Sequence, residues 1–302
     1  MTVTVTNDGS ADLTLGTAGF SGADPEMFSK DDDTCSDATL TPGTPSCTID
    51  VTFEPGTAGP ASAQLDIPDD TALGTRTVLL SGNGITLTSE VTITTSAKAV
   101  AFGKSVQVTA NLAAHEDTTN QQLTIFATPF GGTKTPIETG DVDSNGDLSF
   151  TYKPTKKTTF EASFDGDGSY TPATSGQVDV DVVARVVGRL ARFDARSGRY
   201  KIYGFTSACP RQHRRCPTYA VSVSPNHAGK KVSFVLQLFA SGRWQTATTV
   251  DGRLGPKSTR VEIFVYKNAS IVGLPTRVRV RFGGDADHLG RTSKWSYFKV
   301  VR

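Results

Sequence analysis

The chain has 302 residues, with 31 Lys and Arg against 30 Asp and Glu, so its formal net charge is +1. No apolar run approaches the roughly 20 residues of a membrane span, and no charged-then-apolar leader precedes Thr2. Thr, Ser, Gly, Val and Asp are abundant, and apolar residues come in short alternating runs separated by Gly, Pro, Asn or Asp, which predicts an all-β chain of two or three modules of about 100 residues each.

The neutral total hides a polarity. Residues 1–85 hold 2 basic and 13 acidic side chains, residues 86–186 hold 7 and 12, and residues 187–302 hold 22 and 5. The predicted modules are these three segments, and the imbalance concerns their partners and solubility rather than their fold.

In the first segment Val3 and Val5 share a face, then Leu13 and Leu15, then Cys47, Ile49, Val51 and Phe53. Period two predicts half-buried strands. The stretches TVTVTNDGSADLTL, FSGADPEMFSKDDDTCSDATLTPGTPSCTIDVTFEPGTAGPASAQLDI and TVLLSGNG, within residues 2–84, resemble the bacterial choice-of-anchor D module, a relative of the ASH (ASPM, SPD-2, hydin) group of immunoglobulin-like domains. The resemblance implies a β-sandwich. Members open with a further strand of the type LDFG followed by VG, which this chain lacks, so the first module is expected to be incomplete at one edge.

The second segment predicts strands at residues 105–112, 123–127, 148–152, 160–164 and 178–182. Its GDVDSNGDLSFTYKP and FEASFDGDGSYTPATSGQVDVDV are similar to bacterial Ig-like repeats of surface proteins. The third segment carries a diverged copy. GKSVQVTANL at 103 answers to GKKVSFVLQL at 229, and Phe164, Gly166, Asp167, Thr174 and Ser175 answer to Phe282, Gly284, Asp285, Thr292 and Ser293. Repetition at domain length predicts tandem immunoglobulin-like β-sandwiches rather than a solenoid.

Four cysteines fall one pair to a module, Cys35 with Cys47 and Cys209 with Cys216, which an oxidising compartment turns into two disulfides. The first pair also sits where the resembled family often has cysteines. Zinc fits poorly, because Cys209, Cys216 and His213 supply three ligands where a structural site takes four. The plain alternative is reduced, unrelated thiols. The expected staple closes a hairpin loop that displays Arg211, Arg214 and Arg215.

Asp141, Asp143, Asn145 and Asp147 imitate the first half of a calcium loop, but Tyr152 stands where the closing Glu belongs. A hairpin turn on Asn145-Gly146 explains them without metal. The FDGDGSY stretch reads likewise as a strand-end turn before Tyr170. His115, His213, His227 and His288 lie in polar or Gly-rich stretches outside any nucleophile motif and read as exposed loop residues. Paired carboxylates of the glycosidase kind meet in space and leave no sequence mark, while the acidic residues here fall in turns that solvation explains. Trp244 and Trp295 read as core or edge packing before a sugar platform. No catalytic residue, metal or cofactor is expected.

Along RVRVRF, Val278, Val280 and Phe282 share one face, leaving Arg277, Arg279 and Arg281 on the other, about 7 Å apart. Cross-strand ion pairing, for instance with Glu262, is the conventional account. Five acids cannot neutralise 22 basic groups, so a surplus rich in planar guanidinium forks is left for phosphate, sulfate or carboxylate. The expected protein is a non-enzymatic secreted or cell-surface spacer or adhesion module. Its basic third module, through Arg277, Arg279, Arg281, Arg211, Arg214 and Arg215, contacts an anionic polymer: cell-wall polymer, acidic polysaccharide or nucleic acid. Other surface proteins are further partners. The alternatives are an intracellular cytoskeletal or ciliary scaffold, against which the cysteines count, and the C-terminal tail of a larger extracellular enzyme.

Overall fold

The computed structural model describes residues 1–43, 45–113, 121–206, 216–265 and 269–302. The described chain is all-β, broken by two single-turn 3-10 helices, Pro25–Met27 and Ala269–Ile271. Among the described residues no helix is long and apolar enough to cross a membrane. Two compact units are present. One comprises Met1–Val91, Ser163–Thr174 and the described part of Leu112–Thr118; the other comprises Thr92–Asn111, Thr119–Ala162 and Ser175–Arg302.

In the first unit, Ser46–Phe53 lies between Thr2–Thr6 and Phe28–Asp33, antiparallel to both. A second sheet runs Gly19–Gly22, Gly59–Pro68, Thr75–Gly84. The alternation read from the sequence is realised: Cys47, Ile49 and Val51 are buried, and across the core they meet Ala63, Leu65 and Ile67. Cys35 and Cys47 form a disulfide. Beside it, Asp33 accepts the N–H groups of Cys35 and Ser36 at 3.0 and 2.9 Å and an ammonium hydrogen of Lys30 at 2.8 Å. Burial alone would push this carboxyl up, but the hydrogen bonds from Lys30, Ser36 and Cys35 prevail and hold it well below the usual carboxylate range.

The chain from Glu90 to Val301 contains one strand-pairing scheme twice. In the first copy Val106–Ala113 lies between Glu90–Thr95 and Asp147–Tyr152, while Gln122–Pro129 lies between Thr135–Asp141 and Thr158–Phe164. Val178–Val183 continues that second sheet and pairs in parallel with Ala99–Ala101. In the second copy Thr218–Ser224 lies between Arg185–Ala191 and Thr259–Ile263, and Lys231–Ala240 between Arg243–Arg253 and Thr276–Gly284. Ser296–Val301 follows, paired in parallel with Tyr200–Gly204. Tyr203, Tyr219, Phe234, Phe282 and Phe298 are almost wholly buried between the two sheets of this copy. Each such ring removed from water contributes about 2–3 kcal/mol before the entropy of ordering it is counted.

This scheme corrects three sequence expectations. By pairing, residues 106–113 correspond to 218–224 and not to the GKKVSFVLQL strand, which answers to 122–129. A Gly-Lys turn with alternating residues after it is common to several strands of a sandwich, so that part of the repeat was misaligned. The Phe164/Phe282 to Ser175/Ser293 correspondence agrees with the pairing. Second, residues 142–146 do not close a hairpin, because Thr135–Asp141 and Asp147–Tyr152 belong to different sheets. The loop crosses between sheets. Asp143 Oδ1 accepts the N–H groups of Asn145 and Asp147, and only Gly146 of the Asn-Gly pair takes positive φ. Those backbone donors hold the Asp143 carboxyl below its usual range. Third, the described strands on either side of residues 207–215, Tyr200–Gly204 and Thr218–Ser224, lie in different sheets and are not paired as the arms of a hairpin.

Candidate anion-binding face

Strand pairing places the third-segment arginines. On Thr276–Gly284, Val278, Val280 and Phe282 turn inward, opposite Leu236, Phe234 and Val232. Arg277, Arg279 and Arg281 therefore turn outward, opposite Gln237, Val235 and Ser233. On the other side Arg277 pairs with Tyr297, and Tyr297 with Tyr200. Across the hairpin, Phe239 faces Trp244.

The outward row is thus a mixed field of cations and rings. The Arg277 guanidinium carbon is 4.4 Å from the Trp244 ring centroid and 4.2 Å from that of Trp295, and Arg279 stacks on Trp295 at 4.3 Å. Further along, Arg199 lies 4.4 Å from Tyr297, and the Lys299 ammonium 4.9 Å from Tyr200. Edge-to-face contacts of Trp244 with Tyr297 and of Tyr297 with Tyr200 link the rings. Arg277 Nε donates to Gln237 Oε1 at 2.8 Å, which sets the plane of its fork. Stacking covers the face of a guanidinium and leaves its edge hydrogens directed outward.

The conventional account of the ladder fails on geometry. Glu262 lies in the other sheet, where it takes Arg260 at 3.1 Å. Asp251 holds Lys231, and the hydrogen bonds from Lys231 and Ser233 keep its carboxyl below the usual range. Asp194 accepts the N–H of Gly204, while Asp285 and Asp287 face His227 and His288. All five carboxylates of residues 187–302 are engaged with other partners, Asp251 two strands from Arg281 in the same sheet, and among the described residues none forms an ion pair with Arg277, Arg279 or Arg281. An arrangement of outward cations about 7 Å apart, interleaved with aromatic rings, suits a chain of repeated negative charge that offers flat faces for contact.

Trp295 brings Arg277 and Arg279 together, and Arg281 continues the row as an exposed residue. Cys216 is buried and disulfide-bonded. Cys209, Arg211, Arg214 and Arg215 lie outside the described residues, as do His115 and His213. The tryptophans, expected as core or edge packing, are half-buried and lie against the arginines. His227 and His288, expected to be exposed, are 5 % and 4 % exposed. Trp244, Tyr200, Arg199 and Lys299 were not anticipated as parts of the site. For Trp295, Tyr297 and Lys299 the signal was present, since they alternate with the buried Phe298 and Val300.

No protein-family model matches the chain, and no curated protein matches it. Among solved structures, the chain is similar to a tetra-tandem repeat in the extending region of a large adhesion protein, at 13% identity and a TM-score of 0.39, covering 99% of this chain and 70% of that one. It is also similar to trypsin-activated alpha-2-macroglobulin from Escherichia coli, at 10% identity and a TM-score of 0.29, covering 100% of this chain and 22% of that one.

Proposed function

We propose that this is a non-enzymatic modular protein of the cell exterior. In this reading the N-terminal sandwich is of the choice-of-anchor D kind, the first two modules act as spacer, and the outer face of the C-terminal sheet contacts an anionic polymer. The observation that carries it is the stacking of Arg277 and Arg279 on Trp244 and Trp295 while every described carboxylate of residues 187–302 is engaged with other partners. Cations held by rings keep their charge for an external partner. The Cys35–Cys47 disulfide and the disulfide-bonded Cys216 support an oxidising location, and they count against a cytoskeletal scaffold.

The test uses the full chain and its Arg277→Ser/Arg279→Ser/Arg281→Ser variant, with affinity for heparin, duplex DNA and isolated wall polymer measured across a salt series. Each phosphate neutralised on duplex DNA adds about 0.9 to the slope of log affinity against log salt. The variant is expected to lose slope and affinity together while its circular dichroism is unchanged, because Val278, Val280 and Phe282 keep the core face. Binding indifferent to both salt and the substitution would refute the assignment.

A further inference from the structure

The turns that follow Thr158–Phe164 and Thr276–Gly284 are built alike. Gly166 and Gly284 take positive φ, 76° and 91°. The Asp167 N–H donates to the Tyr170 carbonyl, and the Asp285 N–H to that of His288, each at 3.0 Å. In both turns the aspartate Oδ1 accepts the N–H three residues on, from Tyr170 at 2.7 Å and from His288 at 3.2 Å. The turn by itself accounts for an aspartate here. It does not account for the two imidazoles that the second copy gathers around it.

His288 stands where the first copy has Tyr170, and His227 arrives from the loop before Lys231–Ala240. His227 Nδ1 is 2.8 Å from Asp285 Oδ2, and the two imidazole rings are perpendicular with centroids 4.9 Å apart. Both histidine side chains are only 3% exposed. His227, Asp285 and His288 each offer one ligand atom, and these atoms lie within 4.8 Å of one another.

Two features of the histidines bear on cation binding. His227 Nε2 is buried without a hydrogen-bond partner among the described residues. An ion shared with Asp285 sits on Nδ1, the ring nitrogen beside that carboxylate, since Nε2 points away from it; a ring bound through Nδ1 carries its proton on Nε2. His288 Nε2 lies 2.8 Å from the Thr155 carbonyl, an acceptor only, so Nε2 bears a proton. Its Nδ1 then turns to Asp287 Oδ1 at 2.9 Å and Asp285 Oδ1 at 4.0 Å. In a neutral ring that sets a lone pair against carboxylate oxygens, a repulsion that a shared cation converts into attraction.

We propose that His227, Asp285 and His288 bind a borderline divalent cation of the zinc class. Two imidazoles with one carboxylate suit such an ion better than calcium or magnesium, which take oxygen ligands. A cleft of about 860 Å³, lined by these three residues with Phe102, Phe130 and Lys156, gives the ion access and leaves a coordination position for water. Asp287 supplies a second negative charge, and its carbonyl accepts the Lys157 N–H at 2.9 Å. The ion would fasten the 285–288 turn to the loop that carries His227, a clasp independent of the anion-binding face.

The full chain, stripped with chelator and dialysed, is titrated with zinc by calorimetry and melted with and without it. Uptake of one zinc per chain at micromolar or tighter affinity, with a raised melting temperature, is expected. His288→Tyr installs the residue that the other copy carries at the same turn; it is expected to fold and to lose both effects. Should it not fold, His227→Gln serves in its place, and cobalt substitution of the wild type decides without any variant: intense visible bands of low coordination number support the site. Overturning results are no zinc uptake by the stripped wild type, undiminished uptake by folded His288→Tyr, or the pale spectrum of a six-coordinate surface ion.

Discussion

The indole of Trp295 carries the guanidinium of Arg277, ring centroid to guanidinium carbon 4.2 Å, and so makes the charge part of a fixed surface instead of a mobile tether. Held this way, Arg277 loses little further freedom on meeting an anion. Trp295→Leu keeps every charge and removes the shelf under Arg277 and Arg279 together. If pre-positioning matters, affinity for heparin or DNA falls by about 0.5–2 kcal/mol, the range of a cation–π contact, while the salt slope stays at its wild-type value. An unchanged affinity would mean that net charge alone attracts the polymer.

The Cys35–Cys47 bridge spans 12 residues of the first unit. In the chain-entropy account a closed loop of this size contributes about 3 kcal/mol. Both tryptophans lie in the second unit, so their fluorescence is blind to the first. Cys35→Ala/Cys47→Ala is therefore expected to move an early unfolding transition in circular dichroism to lower denaturant and to leave the tryptophan transition in place. A common shift of both signals would show that the two units unfold as one.

Asp33 gives the same unit a pH dependence of defined sign. Its carboxyl is held below the usual range by Lys30, Ser36 and the Cys35 N–H against the opposing effect of burial. Such a group contributes stability in full above the unfolded value of about 3.9, and the contribution is lost as the pH falls through the depressed folded value. Asp33→Asn should cost about 1.5–3 kcal/mol at pH 7, the range for hydrogen bonds to a charged group. The urea midpoints of wild type and variant, followed by circular dichroism, should begin to converge as the pH falls below about 4 and should meet only once it has passed the depressed folded value. A gap that widens on acidification would remove Asp33 as its source.

How much of this was legible depended on whether the signal was local. Alternation along RVRVRF settled which face of the strand is buried, because a strand period of two needs only the strand itself. The same period in Trp295, Tyr297 and Lys299 carried the aromatic half of the face, but its meaning came from Trp244 and Arg277 on neighbouring strands. His227 and His288 belong to distant loops that meet only once Lys231–Ala240 is paired with Thr276–Gly284. No spacing rule marks such a meeting. Asn145-Gly146 misled for a related reason: the dipeptide reports local φ, and whether its flanking strands pair is decided by the sandwich.

The repeated serines, by contrast, were visible as a correspondence and now have a cause. Ser175 Oγ accepts the Ala162 N–H at 2.9 Å and donates to the Gly176 carbonyl, and Ser293 Oγ accepts the Val280 N–H at 3.1 Å and donates to the Lys294 carbonyl. Ser293 has spent its only hydrogen, so the Tyr219 hydroxyl, 3.2 Å away, is the donor to it. Tyr219 is wholly buried, which pushes its phenol up despite hydrogen bonds to Ser293 and Ser296. Ser293→Ala therefore strands a buried N–H and weakens a buried phenol, where Ser175→Ala strands the N–H alone. Each orphaned group costs about 1–3 kcal/mol, so Ser293→Ala should be the more destabilising of the two by urea unfolding. Tyr219→Phe should recover part of that difference, since the double variant removes the phenol that has lost one of its two partners, and the cycle should show a coupling of at least about 0.5 kcal/mol. Equal costs for the two serines together with an additive cycle would reduce Ser293 to the plain strand-closing role of Ser175.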